Sequence, residues 1–159
     1  MPHNKFDDRK QIEQVIKEAY FCQVAFSLDD QPYVVPLNFG YADGCFYFHS
    51  KQKGRKIELL KANPKVGFNL QSRIEPIHDK EKAENCTLRY LSVLGSGVMT
   101  LIEDDSEKRQ ALDRICEQYD MQPYDYSEKM MGATALIRLD VMEMVGKAGN
   151  VDCDSVFAS

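Results

Sequence analysis

From Cys22 to Ser50 the chain alternates apolar and polar residues with a period of two and breaks only at turn signals. That pattern limits the fold more than any other feature, because a period of two places successive side chains on opposite faces of a strand. It predicts three antiparallel strands, "CQVAFSL", "YVVPLNFGY" and "CFYFHS". The polar turn "DDQP" separates the first two, and Asp43-Gly44, a hairpin signal, separates the last two. In the second strand Tyr33, Val35, Leu37 and Phe39 share one face, and Val34, Pro36, Asn38 and Gly40 the other. Pro36 cannot donate to a ladder, so it predicts a sheet edge or a bulge and leaves the backbone around Leu37 and Asn38 open to another partner.

The remaining segments extend this pattern. Ile12, Val15, Ile16 and Ala19 recur at helical spacing and predict a helix over residues 7–20, with Asp7 and Asp8 at its positive end. A second helix is expected from Gly54 to Ala62, stopped by Asn63-Pro64. "KVGFNL" returns to strand, and Ser72 to Thr87, polar and containing Pro76, predicts a long loop. In the strand "LRYLSVLGSGVMTLI", Gly95 and Gly97 imply a bend or bulge. Asp104 followed three residues later by Glu107 marks the start of the helix "SEKRQALDRICEQY", whose apolar face is Ala111, Leu112, Ile115, Cys116 and Tyr119. "TALIRLDVMEMV" is the last strand, and residues 147–159 carry no motif. Six strands with helices at the ends and in two connections predict a mainly β, antiparallel barrel in a single domain over residues 1–159. The connection through Gly54–Ala62 leaves a parallel crossover open.

Charge supplies the first functional signal. The net charge is −5, yet Lys51, Lys53, Arg55, Lys56, Lys61 and Lys65 stand together against one acid, Glu58. The first backbone N–H groups of a helix are unpaired and lie at the positive end of its dipole, where cations are disfavoured unless an anion joins them. Strand, loop, Gly54, Arg55-Lys56, helix is therefore the order of a phosphate site, with Lys53 beside it; a solvated basic loop is the plainer alternative. The Walker pattern is absent. His49 ends its strand on the face of Cys45 and Tyr47, opposite Phe46 and Phe48, as a local hydrogen bonder or a catalyst. Asn38 adds an amide able to read the edge of a flat heterocycle.

An acidic chain argues against nucleic-acid or membrane-surface binding. The N-terminus has no apolar leader and no stretch approaches a membrane span, so a cytoplasmic protein is expected. Five scattered cysteines form no C-x-x-C pair, and His78 with Cys86 lacks usable metal-ligand spacing, so no metal is expected.

Taken in order, "PYVVPLNFGY", "GCFYFHSKQKGRK", "NPKVGFNL", "YLSVLGSG" and "SEKRQAL" resemble the flavin-binding family related to pyridoxamine 5′-phosphate oxidase, and more closely the Nim-type 5-nitroimidazole resistance proteins. The resemblance covers about Asp8 to Gln118, and the ordered set is more specific than any one motif. It implies a split β-barrel homodimer with non-covalent FMN in clefts between subunits. His49, Ser50, Gly54, Arg55 and Lys56 would then hold the FMN phosphate and ribityl end. Pro36, Leu37 and Asn38 would line the isoalloxazine, and Ser92 would lie near the cofactor. His49 also matches a position with a role at the flavin. Leu91 stands where relatives often carry arginine, and Ser96 where they carry an aromatic residue. The implied activity is an FMN-dependent oxidoreductase that reduces a small organic acceptor, with nitro-aromatics one class. NAD(P)H would dock transiently as electron donor, since no G-x-G-x-x-G motif is present. A flavin- or haem-binding carrier or sensor without turnover is the alternative.

Overall fold

The computed structural model describes residues 4–158; the outermost residues of the expected domain, His3 among them, lie outside the described residues. The strands are β1 (Lys5–Phe6), β2 (Cys22–Leu28), β3 (Gln31–Leu37), β4 (Gly40–Ala42), β5 (Cys45–Lys51), β6 (Lys65–Ile77), β7 (Thr87–Ile102) and β8 (Thr134–Gly149). The helices are α1 (Arg9–Glu18), α2 (Arg55–Ala62), α3 (Asp105–Gln118), α4 (Glu128–Ala133) and α5 (Cys153–Val156). All strand pairs are antiparallel, in the order β3-β2-β6-β7-β8-β5-β4, with β1 on β8. The sheet therefore has the antiparallel, mainly β character expected, and the parallel crossover through α2 does not occur. Its path is not closed: β3 and β4 are the two ends.

This topology explains why the described residues contain eight strands where the alternation predicts six. The expected strand Tyr33–Tyr41 divides, because β3 pairs with β2 at one end of the sheet and β4 pairs with β5 at the other. Asn38 and Phe39 form the corner, and the Phe39 N–H leaves the ladder to donate to the Tyr119 hydroxyl at 3.1 Å. Pro36 sits on an end strand, as its missing N–H requires. The other new strand is the short β1.

Local signals operate as expected. Asp43 and Gly44 take positive φ, 51° and 78°, between β4 and β5, and Asp29 and Asp30 do the same between β2 and β3. Gln31 and Pro32 of the predicted turn belong to β3, paired with Leu28 and Ser27. Asp8 Oδ1 accepts from the Gln11 N–H at 3.0 Å to cap α1, and Asp104 Oδ2 accepts from the Glu107 N–H at 2.9 Å to cap α3. The register of β7 on β8 shifts between Ser96 and Gly97, at the predicted bulge. The predicted loop Ser72–Thr87 is much shorter. β6 continues to Ile77 and pairs with Thr87–Arg89 after a shift between Ser72 and Glu75, leaving residues 78–86 and one 3₁₀ turn, Ala83–Asn85.

Phe26, Phe39, Phe46, Phe48, Leu70 and Leu91 are at most 2% exposed and fill the inside of the curved sheet. Each such side chain contributes about 1.5–3 kcal/mol by leaving water. The opposite face of β5 carries Tyr47 and is covered by α3 and the segment after it, through Ala111, Leu112, Ile115, Tyr126 and Met131. Gly40 permits this cover: a Cβ there would collide with the backbone of Arg114 and Ile115. The tail, without a motif, still packs, with Cys153 buried and Phe157 against Phe6 at 5.1 Å between ring centroids.

Candidate functional site

Strand β5 delivers two kinds of side chain to two sides. Phe46 and Phe48 enter the core, while Tyr47 and His49 face α3 and the α4–β8 junction. After Lys51 the chain must turn into α2, and Gly54 makes the turn with φ 131° and ψ 173°, a region essentially reserved for glycine. The loop is fixed from the side, since Gln52 Nε2 donates to the carbonyls of Gly132 and Thr134 at 3.2 and 3.1 Å.

The result is a cavity of about 520 Å³ lined by Tyr33, His49, Ser50, Lys53, Gly54, Arg55, Lys56 and Thr134, among others. Three observations suit this cradle to an anion. Gly54 offers no side-chain cap to α2, and the first helical N–H to find a backbone partner is that of Glu58, to the Gly54 carbonyl at 3.1 Å. The positive end of the helix thus meets the cavity without a side-chain cap, Glu58 being the acid of its first turn. Among the described residues, Lys53, Arg55 and Lys56 form no ion pair. The Arg55 guanidinium lies 4.5 Å from the centroid of the Tyr33 ring, which orients it without neutralising it. Burial lowers the Lys56 pKa, so this ammonium lacks the solvation it would have in water and gains from an anion.

His49 is the junction. Its pKa is lowered, first by burial and then by the charge of Lys56, and its Nδ1 is buried without a hydrogen-bond partner among the described residues. It also lines a second cavity of about 440 Å³, with Asn38, Leu112, Ile115, Cys116, Met121, Tyr124, Asp125, Tyr126, Ser127 and Met130. One cavity is basic and open to a helix end; the other is mostly apolar. An orphaned ring nitrogen, an uncapped helix, a side-chain-free Gly54 and unpaired cations together fit a ligand with a phosphate at one end.

Of the residues predicted from sequence, His49, Ser50, Lys53, Gly54, Arg55 and Lys56 are brought together in the first cavity. Asn38 reaches the second. Pro36 and Leu37 line neither: Pro36 points to solvent and Leu37 packs on the core. Ser92 also stands apart, 4% exposed, with its Oγ donating to the Lys147 carbonyl at 3.4 Å across β7 and β8. Leu91, 2% exposed, is a core residue, and Ser96 Oγ donates to Glu143 Oε1 at 3.1 Å. Lys61 and Lys65 lie outside the cradle. Sequence reading missed Met121, Tyr124 and Tyr126. Leu112 and Ile115 were visible as an apolar helix face, but a face reads the same whether it fills a core or floors a cavity.

The family model described as pyridoxamine 5′-phosphate oxidase matches residues 8–148. A candidate 5-nitroimidazole antibiotic resistance protein from Bacteroides thetaiotaomicron has a similar structure, at TM-score 0.81 and 32% identity over 91% of this chain and 86% of that one. A FAD and haem binding protein from Mycobacterium smegmatis superposes at TM-score 0.80 with 17% identity, covering 98% of this chain and 80% of its own. An uncharacterized protein of Rhizobium meliloti is 31% identical over 62 residues, 39% of this chain; the match spans 40% of that relative's length.

Proposed function

The chain belongs to the pyridoxamine 5′-phosphate oxidase family, and from that premise we infer that it is an oxidoreductase holding non-covalent FMN and reducing a small organic acceptor, nitro-aromatics among them. The carrying observation is the cavity in which the uncapped start of α2 and the unpaired Lys53, Arg55 and Lys56 adjoin His49. The Mycobacterium smegmatis relative's FAD supports a flavin, and FMN is the form of it that the sequence resemblance implies. The nitroimidazole resistance relative supports the acceptor class.

In this reading Lys53, Arg55 and Lys56 neutralise the phosphate, with the α2 N–H groups completing its hydrogen bonds. Ser50 offers a hydroxyl along the ligand, and Asn38 an amide in the adjoining cavity. His49, neutral at pH 7 because burial lowers its pKa, presents one N–H and one lone pair where the two cavities meet. The flavin, when bound, would supply the electron transfer itself. NAD(P)H would be a transient donor, and a homodimer would close the cofactor between subunits. A carrier without turnover is the second reading, favoured by the haem of the Mycobacterium smegmatis relative.

The purified protein is expected to be yellow or to retain added FMN, to bleach with anaerobic NAD(P)H and to recolour with a nitro-aromatic. A carrier would retain FMN but stay oxidised. Arg55→Ala and Lys56→Ala should each raise the Kd for FMN roughly tenfold, because each removes a charge-assisted hydrogen bond worth about 1.5–3 kcal/mol, discounted for exposure. Lys61→Ala should leave it unchanged. Equal losses from all three, or a protein that takes up no FMN, would refute the cradle.

A further inference from the structure

The second cavity has a chemistry of its own. Its floor is buried, with Leu112 and Ile115 5% and Tyr126 7% exposed, while its rim holds Met121, Tyr124 and Met130 at 43, 64 and 41%. Apolar side chains left in water around one concavity mark a place where something else covers them.

The rim is held in place rather than loose. Asp120 turns the chain after α3 with φ 56°, and the Met121 N–H donates to the Cys116 carbonyl at 2.9 Å. The Tyr126 hydroxyl donates to Asp113 Oδ1 at 2.8 Å. Arg109 closes the far side, with Nη1 donating to the Tyr126 carbonyl at 3.0 Å and Nη2 pairing with Glu128 at 2.8 Å. A wall fixed by four polar contacts is pre-organised and loses little entropy when a ligand enters.

Its charge is opposite to that of the cradle. With His49 neutral, Asp125 is the only charged side chain in the lining among the described residues. A phosphorylated cofactor finds cations on one side of His49 and a carboxylate on the other, so the two cavities sort two different ligands.

We propose that this cavity is the acceptor subsite, taking a planar aromatic ring that carries no negative charge, with Tyr124 and Met121 as specificity-determining residues and Asp125 turning away anions. The proposal rests on the flavin reading for the identity of the cradle's ligand. The shared His49 places the acceptor beside that ligand without overlapping its phosphate.

The test titrates the FMN-saturated full chain by calorimetry with 4-nitrobenzyl alcohol and with 4-nitrobenzoate, two rings that differ in charge. The neutral ring should bind more tightly. Tyr124→Ser and Met121→Ser, both exposed enough to leave folding intact, should each weaken it about five- to tenfold while FMN retention stays constant. Asp125→Asn should narrow the gap between the two rings. Unchanged binding in both rim variants overturns the subsite. So does FMN loss in step with the acceptor, which would place the cofactor's ring in this cavity. If the wild type takes up no FMN, the flavin reading fails by itself, and the same titrations on the chain without FMN still decide the subsite.

Discussion

The two cavities that meet at His49 are built in different ways. The cradle is almost entirely one run of chain: His49, Ser50, Lys53, Gly54, Arg55 and Lys56 follow one another from a strand end into a helix start. Its partners supply a wall, through Tyr33 and Thr134, and a tether, through Gln52. The apolar cavity gathers Asn38, His49, the buried face of α3 and the segment 121–130. An anion site can be written locally because backbone N–H groups, a dipole and adjacent cations all belong to one short segment. An apolar cavity is the space four distant segments leave unfilled, so it depends on how they pack.

The cradle is thus the part that a single backbone change should break most severely. Gly54→Ala puts a side chain at φ 131° and ψ 173°, where nothing lies within 4 Å of the new Cβ. The cost is therefore conformational rather than steric, about 1–3 kcal/mol, met by lost stability or by a shifted loop. Thermal melts should show the destabilisation, and FMN retention should fall with it, while 4-nitrobenzyl alcohol binding holds. A variant as stable and as FMN-competent as the parent would show that the Gly54 conformation is not what shapes the cradle.

The same contrast governs what could be read before folding. The Asp43-Gly44 turn, the Asp104 cap and the start of α2 after Gly54 are local devices, and each forms where the sequence places it. The corner at Asn38 and Phe39 is not local: it exists because β3 and β4 pair at opposite ends of the sheet. β6 was hidden for another reason. Its outer part is charged and contains Pro76, which reads as loop, yet Arg73 takes φ 50° at the register shift and clasps Glu18 of α1 through Nε and Nη2 at 2.8 and 2.9 Å. Pairing then resumes beyond the irregularity. Residues 121–127 have no periodicity at all, so nothing marked Met121 or Tyr124 until Tyr126 was seen bonded to α3. Ser92, by contrast, belonged to a motif whose neighbours carried the resemblance, and its observed role is to bridge two strands.

A smaller perturbation should separate the cavities in the opposite direction. Tyr126→Phe removes the 2.8 Å hydrogen bond to Asp113 and the polar contact with Cys116 at 3.5 Å, but keeps the ring that floors the apolar cavity. The loss should be about 1 kcal/mol, or about 2–4 °C in Tm for a domain of this size. Acceptor binding should weaken modestly as the rim loosens, with FMN retention unchanged. Equal weakening of both ligands would mean that the cavities are one cooperative unit.

The smallest effect lies in the residue they share. Burial is the main reason His49 has a lowered pKa and Lys56 the lesser one, so Lys56→Met should raise it without restoring the ordinary value of about 6.5. A base whose folded pKa is depressed takes up more protons unfolded than folded between those two values. His49 therefore contributes stability that is full above about pH 6.5 and is lost as pH falls through its folded pKa. In Lys56→Met that loss should be smaller, because protonating His49 no longer meets a neighbouring ammonium. Histidine NMR titration reads the shift, and acid melts of both proteins read its consequence. A His49 pKa unmoved by the substitution would mean that Lys56 already directs its charge away from the ring, and that the cradle and the apolar cavity are electrostatically separate.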